Sequence, residues 1–484
     1  MVVGPDMVHN SVDEVMLDPS AGRGPKAILV VASIASFMVA LDLLVVTTAL
    51  DAIRRDLGVD ATVLQWTVTA YALCFASLLL VGAALGDRYG GRRMLLVGLL
   101  LFVAGSTAAA LSSGVWPLVA ARVVQGAGAA VVVPVSLAVV ASVFPAERRG
   151  AAIGTLEGIT GLAVIAGPLV GGVVVEYLAW EWIFWSNVPI GLAAIPLVAW
   201  VMPESRGTIT QIDIAGAVLV AGGTFGLVWG LSHGNGAGWW GWQTMSSLVG
   251  GLSLWAAFLV RQRSSRSPML PLGLFSSRSF RSAAVAATAL SGALYGSVFF
   301  MAQVLQVTLG HGPLGSGLRL VPWTATLLVV APVAGRLGDR CGARPVLVAA
   351  MTCTAVGFAW LAVILDPGVT YATILPPLLL AGVGVSAALP VSQMAALGAL
   401  RDDLVGVAAG ATNLLQELGG ALGVAVTVAA FLSVGSYASI ADATGGFAVA
   451  LGACAVLAGV GLLGAGTLPR QRDDFSARTR STAA

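Results

Sequence analysis

Fourteen mostly apolar stretches, each about 20 residues long, follow one another along the chain. A helix needs roughly 20 apolar residues to cross the hydrocarbon layer, so each stretch is long enough to span a membrane. Only 10% of the 484 residues are charged, whereas a soluble domain carries roughly a quarter. Because so little charge cannot cover the surface of a soluble fold, the sequence predicts an all-α, polytopic membrane protein.

The distribution of basic residues predicts the orientation. If both termini are cytoplasmic, 21 of the 25 Lys and Arg residues fall on the cytoplasmic side, the side on which membrane proteins concentrate them. The sequence therefore predicts a multi-pass protein of the cell (inner or plasma) membrane with both termini in the cytoplasm. The net charge of +2 argues against a nucleic-acid partner, which requires a strongly basic face.

A short pattern occurs twice and divides the chain into two halves. We expect Asp87-Arg88-Tyr89-Gly90 to form a turn after the second stretch, and Asp339-Arg340-Cys341-Gly342 to form a turn after the tenth. A duplication of six helices would place the copies six stretches apart, so their separation by eight indicates an inserted pair. Internal repeats of this kind mark transporters with a site between the halves.

The predicted organisation has six parts in chain order. They are a cytoplasmic tail (1–26), a six-helix bundle (27–205), two linker helices (206–262), a basic cytoplasmic loop (263–281), a second six-helix bundle (282–468) and a cytoplasmic tail (469–484).

Several further motifs occur in a fixed order. They are Gln65–Tyr71, Leu118–Gly128 with its intramembrane Arg122, the glycine-rich segment from Gly154 to Gly172, and Asn187–Gly191. With the two Asp-Arg-x-Gly turns they resemble the major facilitator superfamily, specifically its fourteen-helix drug:proton antiporter branch, over Phe37–Gly423. The resemblance implies the major facilitator fold of two six-helix bundles plus two inserted helices. It also implies proton-coupled export of hydrophobic or cationic drugs by alternating access.

Helix five carries the motif that the resemblance associates with antiport, namely Gly154, Gly167, Pro168, Gly171 and Gly172. Glycines allow a neighbouring backbone to approach closely, and proline removes a backbone donor and bends the helix. We expect a close, kinked contact that acts as a pivot and a seal against protons. Ordinary packing of small residues is the alternative explanation.

Asp87 and Asp339 are predicted to gate the cytoplasmic side. Acids are attracted to helix N-termini, and by the family's pseudo-symmetry Asp87 faces the start of helix thirteen and Asp339 the start of helix five. Four arginines are expected to complete the bridges, Arg88, Arg92, Arg340 and Arg344. The arginines, though not the aspartates, are equally explained as markers of the cytoplasmic side.

Five charged residues lie within the apolar stretches, namely Asp42, Arg122, Glu157, Arg319 and Glu417. Each costs about 2.5–3.5 kcal/mol at a helix centre, so each is a functional candidate. Asp42 and Arg122 lie at nearly the same depth in helices one and four, which the resemblance places beside the central cavity. Their interaction is the leading hypothesis for the proton site, with a purely structural pair as the alternative. Glu157 and Glu417 are further candidates for proton transfer or for contact with a cationic drug.

The chain shows neither an ATPase motif nor metal-ligand spacing, so no cofactor is predicted and a proton gradient is the expected energy source. The expected partners are a hydrophobic or cationic small molecule, protons and the lipid bilayer, with the monomer as the working unit. A dedicated exporter of one metabolite or lipid-like product remains an open alternative. An intramembrane enzyme or a sensor is a third class, but the sequence shows no convergent catalytic residues and no signalling domain.

Overall fold

The computed structural model describes residues 24–59, 61–204, 213–265, 268–398 and 404–469, which form fourteen long α-helices. These are α1 (Pro25–Leu57), α2 (Ala61–Tyr89), α3 (Gly91–Ala110), α4 (Val115–Val143), α5 (Ala146–Tyr177), α6 (Trp182–Val201), α7 (Ile214–Ala237), α8 (Trp242–Ser264), α9 (Arg278–Gln303), α10 (Pro313–Cys341), α11 (Ala343–Ile364), α12 (Tyr371–Gly398), α13 (Val405–Val434) and α14 (Ile440–Gly466). Within the described residues, thirteen of them are long and apolar enough to cross a membrane. The fourteenth is α5, in which several side chains lie outside the description. The predicted all-α, polytopic architecture is confirmed.

The helices that carry the duplicated pattern are longer than predicted. α2 continues through Asp87 to Tyr89 and α10 continues through Asp339 to Cys341, so both acids lie in a last helical turn. The prediction that they lie in turns was therefore wrong. The change of direction takes a single residue in each half, Gly90 with φ 102° and Gly342 with φ 85°. Glycine adopts such positive φ angles without steric cost, which is why no longer loop is needed.

Other boundaries also differ from the predicted ones. α1 begins at Pro25, so the last two residues of the predicted N-terminal tail are helical, and it continues to Leu57. Arg54 and Arg55 belong to its last turn. The predicted basic loop begins inside α8, contains a short 3-10 turn (Leu272–Ser276) and ends inside α9. Residues 1–23 and 470–484 of the predicted tails, residue 205 of the predicted first bundle, and 206–212 of the predicted linker region lie outside the described residues.

The inserted pair, α7 and α8, packs together, and α7 also lies against α2 and α13. Asp213 caps α7 by accepting from the Gly216 N–H at 3.0 Å, and Arg261 of α8 lies 2.7 Å from the same carboxylate. Partial burial acts to raise the pKa of Asp213. The Gly216 N–H and the Arg261 guanidinium outweigh that effect and hold the pKa below its ordinary value.

The start of α9 lies beside the end of α14, because the Ser282 and Thr467 hydroxyls are 2.8 Å apart. We call the side of the membrane where α14 ends the terminal side.

The closest approach between the two halves joins α5 to α10. A Cβ added to Gly335 would lie 2.1 Å from the Gly150 carbonyl oxygen, and one added to Gly154 would lie 2.4 Å from that of Ala331. The two backbones therefore touch, as small residues permit in membranes. The equivalent contact of α2 with α13 is looser, because Ala83 of α2 places a methyl group beside Gly410.

The remaining motif residues of α5 are only partly described. Gly167 and Gly171 are buried, whereas the side-chain environments of Pro168 and Gly172 lie outside the description. The helix itself is continuous from Ala146 to Tyr177. The predicted pivot and proton seal at this motif stay a prediction.

Replacing Gly335 by alanine should lower the thermal unfolding midpoint, because the new methyl group forces two backbones apart at a cost of about 1–3 kcal/mol. The matched control is Gly459→Ala, where the added methyl group meets open space and helix propensity alone favours alanine by about 1 kcal/mol. Tryptophan fluorescence of the purified protein during heating measures both. Equal midpoints for the two variants would contradict the close contact.

Candidate functional site

A buried ion pair lies inside the first half of the molecule. The Arg122 Nη1 of α4 contacts the Asp42 Oδ2 of α1 directly, and neither side chain is exposed to solvent. The contact predicted from the matching depths of these residues is therefore present. A charge buried in this way is stable only if hydrogen bonds satisfy its remaining polar atoms.

Groups on α2, α4 and α6 supply all of those hydrogen bonds except one, since Arg122 Nη2 is buried without a hydrogen-bond partner. Asn187 of α6 donates to Asp42 Oδ1 at 2.7 Å, and Gln125 of α4 donates to the same oxygen at 3.2 Å. Gln125 in turn accepts from Arg122 Nη1 at 2.8 Å. Arg122 Nε donates to the Thr67 carbonyl oxygen of α2 at 3.1 Å. Donors and a counter-charge thus surround the carboxylate.

Two further residues complete this arrangement. The Arg122 guanidinium carbon lies 4.2 Å from the ring centroid of Tyr71, within the range of a cation–π contact. Ser106 of α3 accepts from Asn187 at 3.1 Å and donates to the Phe184 carbonyl oxygen at 2.8 Å. We call this set the buried cluster, comprising Asp42, Thr67, Tyr71, Ser106, Arg122, Gln125 and Asn187.

Sequence reasoning named only Asp42 and Arg122 from the buried cluster as site residues. Thr67, Tyr71, Gln125 and Asn187 all occur in the motifs that carried the family resemblance. The signal that could have found them is a polar residue inside an apolar stretch at the depth of the ion pair.

A separate cavity of about 300 Å³ lies between the two halves. Its walls come from α1, α4 and α5 of the first half and from α9, α10, α12 and α13 of the second. Most of its lining is apolar, and its charged lining residues are Glu157 of α5 and Glu417 of α13. Tyr295 lines the same cavity, and its hydroxyl donates to Glu417 Oε1 at 3.4 Å. The cavity thus brings together two of the four predicted proton-coupling residues.

The ion pair does not line this cavity, contrary to the expectation that it faces the space between the halves. Ala40 and Leu43 of α1 line the cavity, and Asp42 projects about 160° from Ala40 and about 100° from Leu43 around the helix. Arg122 is eleven residues, or about 16 Å of helix, from Val133, the nearest cavity-lining residue of α4. Helices one and four border the cavity, but with other residues.

The two acids of the duplicated pattern face helix N-termini across the halves. Asp339 accepts from the N–H groups of Gly150 and Ala151 in the first turns of α5, at 2.9 and 3.0 Å. Asp87 faces the N–H of Val407 in the first turn of α13, at a geometry short of an ordinary hydrogen bond, and its Oδ2 is buried without a hydrogen-bond partner. Both contacts have the partners expected from pseudo-symmetry and join the halves on the terminal side. Their role as gates stays a prediction.

The arginines differ from expectation. Arg92 and Arg93 lie 3.7 and 3.4 Å from Glu204, a residue that sequence reasoning did not name. Within the described ranges, Arg88, Arg340 and Arg344 form no ion pair, so most of the expected bridges are not seen. Arg88 instead lies 5.1 Å from the ring centroid of its neighbour Tyr89.

Arg319 is also accounted for locally. Its Nη1 donates to the Gly315 carbonyl oxygen at 3.1 Å, and its guanidinium carbon lies 5.7 Å from the Tyr371 ring centroid. It does not line the central cavity.

Two helical halves around a central cavity are typical of membrane transporters whose substrate site lies between two related bundles. The model of the Major Facilitator Superfamily matches residues 32–424, and the chain belongs to this superfamily.

Relatives of known name support the assignment. The chain is 32% identical over 423 residues to the tetracenomycin C resistance and export protein of Streptomyces glaucescens, covering 86% of this chain and 78% of the relative. It is 36% identical over 448 residues to the cephamycin export protein CmcT of Amycolatopsis lactamdurans, covering 89% and 91%. The solved proton:xylose symporter XylE superposes with a TM-score of 0.66 at 14% identity over 91% of this chain and 94% of that one, which shows the shared fold.

Replacing Asp42 by asparagine should destabilise the protein by about 3–5 kcal/mol, because Arg122 then stays buried without a counter-charge. The double variant Asp42→Asn, Arg122→Met should recover part of that loss, since it removes the orphaned charge. Thermal unfolding of the purified variants measures both effects. A single variant as stable as the wild type would show that the pair does not hold the bundle together.

Replacing Asp339 by alanine should open the terminal side, because two hydrogen bonds to a charged carboxylate are lost. Met394, which packs against Gly150 and Gly338 at this contact, is replaced by cysteine in a cysteine-free background as a reporter. Its labelling by a water-soluble maleimide should accelerate at least about tenfold, since each charge-assisted bond contributes about 1.5–3 kcal/mol. The exposed neighbour variant Arg340→Ala is the control, and equal acceleration there would contradict a specific role for Asp339.

Proposed function

We propose that the chain is a proton-coupled exporter of hydrophobic or cationic drugs and antibiotics that works by alternating access. The observation that carries the proposal is the largely apolar cavity between the halves, into which Glu157 and Glu417 present their carboxyl groups. Apolar walls with a few polar groups suit small organic molecules. The relatives named for tetracenomycin C and cephamycin export support antibiotics as the cargo.

The two cavity carboxyl groups provide a physical route to coupling. In an apolar cavity an ionised carboxyl group is unfavourable unless a counter-charge accompanies it. A proton or a cationic substrate satisfies this need equally, so the two compete for one group. Opening to one side and then the other would exchange the substrate for protons, with the gradient setting the direction. No cofactor takes part in this scheme.

The buried cluster has a different place in this proposal. The Asp42 carboxylate has Arg122, Gln125 and Asn187 as partners and does not line the cavity. Its geometry favours a structural pair that positions α1 and α4. Asp42 remains a candidate for proton exchange only in a conformation that exposes it to water.

The proposal also covers location and assembly. The bias of arginine toward the terminal side supports a cell-membrane protein with cytoplasmic termini. Because one chain contains the whole cavity, the monomer is the proposed working unit.

Everted membrane vesicles with an acidic interior should accumulate the cationic dye ethidium, and a protonophore should abolish the accumulation. Glu417→Gln should lower the initial rate at least about tenfold, since a neutral amide neither exchanges a proton nor attracts a cation, a difference of about 1.4 kcal/mol or more. Glu157→Gln and Asp42→Asn are measured alongside it, at matched protein levels. The control Asp442→Asn removes an exposed acid at the start of α14 and should transport normally.

Accumulation that ignores the gradient would refute the coupling, and equal rates in all variants would refute the role of the cavity carboxyl groups. Growth assays against a broad panel of compounds distinguish the remaining alternative, because a dedicated exporter of one product should protect narrowly.

A further inference from the structure

A second cavity, of about 430 Å³, adjoins the central one. It lies between α2 and α7 on one side and α9 and α13 on the other. Glu417 and Tyr295 line both cavities. We call this second space the side chamber.

The walls of the side chamber are apolar and partly made of very small residues. Ala72 and Ala76 of α2 and Ala421 of α13 leave room that larger side chains would fill. Val228 of α7 packs into the same small cluster as Ala76 and forms part of the same wall. The inserted helix α7 therefore supplies part of a cavity that two six-helix bundles alone would leave open.

The boundary between the two cavities is weakly held. The Tyr295 hydroxyl lies 3.4 Å from Glu417 Oε1, well beyond the usual 2.7–2.8 Å of such a hydrogen bond. Glu417 is the one charged group among the residues that line the side chamber. A ligand can therefore replace the tyrosine contact at Glu417 without leaving another charge unpaired.

We propose that the side chamber holds the apolar tail of an amphiphilic cation whose charged group binds at Glu417. This inference rests on the proposed function, because it assigns a binding mode to the same carboxylate. The cation compensates the charge of Glu417 in a surrounding of low polarity, and the tail removes apolar surface from water against α2, α7 and α13. The inserted pair thereby contributes to selecting cations with a tail.

A series of alkyltriphenylphosphonium cations tests the assignment, because only the length of the alkyl tail changes. Purified protein is incubated with radiolabelled methyltriphenylphosphonium, and the methyl, butyl and heptyl compounds compete for binding. In the wild type the affinity should rise about threefold to fourfold per added methylene that the chamber buries, which corresponds to about 0.8 kcal/mol. Partition of the longer cations into detergent changes the apparent affinity of all variants alike, so it cancels when the variants are compared.

Filling the chamber should remove the benefit of the tail and keep the binding of the methyl compound. Ala421→Phe does this from α13 and Val228→Phe from α7. Each has a matched control at an exposed position of the same helix, since Leu422 is 45% and Val218 is 66% exposed. The controls Leu422→Phe and Val218→Phe should show the full dependence on tail length.

The outcomes separate the two proposals. A wild type that does not bind or transport the methyl compound contradicts cation export itself. A wild type that binds it, with the same tail dependence in the filled variants and their controls, overturns the side chamber as a tail site. Loss of binding of the methyl compound in both filled variants, with unchanged thermal unfolding, also overturns it. The space would then be part of the site that binds the charged group.

Discussion

The Asp42–Arg122 ion pair joins opposite charges where no solvent reaches either side chain, and the first half of the molecule is organised around it. Five of its six helices, α1, α2, α3, α4 and α6, contribute a group to the buried cluster. In hydrocarbon an unpaired polar group costs several kcal/mol, so each of these contacts constrains the helix that provides it. The sixth helix, α5, makes its closest backbone contact across the molecule with α10 instead.

This division separates two uses of charge. The buried cluster surrounds its carboxylate with donors, which favours a fixed charge and a fixed helix arrangement. Glu157 and Glu417 line a cavity, and the hydrogen bond that Glu417 accepts from the Tyr295 hydroxyl is long. Groups with few partners are the ones that can exchange a proton or bind a ligand without dismantling the fold. Stability and the exchange of protons or ligands thus depend on different acids. Substitutions of Asp42 should mainly affect stability, and substitutions of Glu157 or Glu417 should mainly affect exchange.

Much of the architecture was predictable because it follows from hydrophobic length, which the bilayer sets directly. The two halves and the inserted pair followed from the repeated Asp-Arg-x-Gly pattern. Helix ends were less predictable, since an apolar count stops at the first charge whereas α2 and α10 continue to Gly90 and Gly342. Depth along the helices predicted the contact of Asp42 with Arg122. It could not predict which way Asp42 points, because a shift of two residues turns a side chain by about 200°. The role of Tyr295 in the site depends on packing between the halves, and no local sequence pattern indicates it.

The single-residue connections at Gly90 and Gly342 have a mechanical consequence. Each reversal of direction depends on two backbone torsions, those of one glycine, with no loop to take up slack. A single glycine therefore joins α2 directly to α3, and another joins α10 directly to α11. A tilt of α2 that breaks the Asp87 contact with α13 is passed to α3 at once, and the same holds for α10 at the Asp339 contact with α5. A tilt that begins at either acid thus moves two helices and not only the helix that carries the acid.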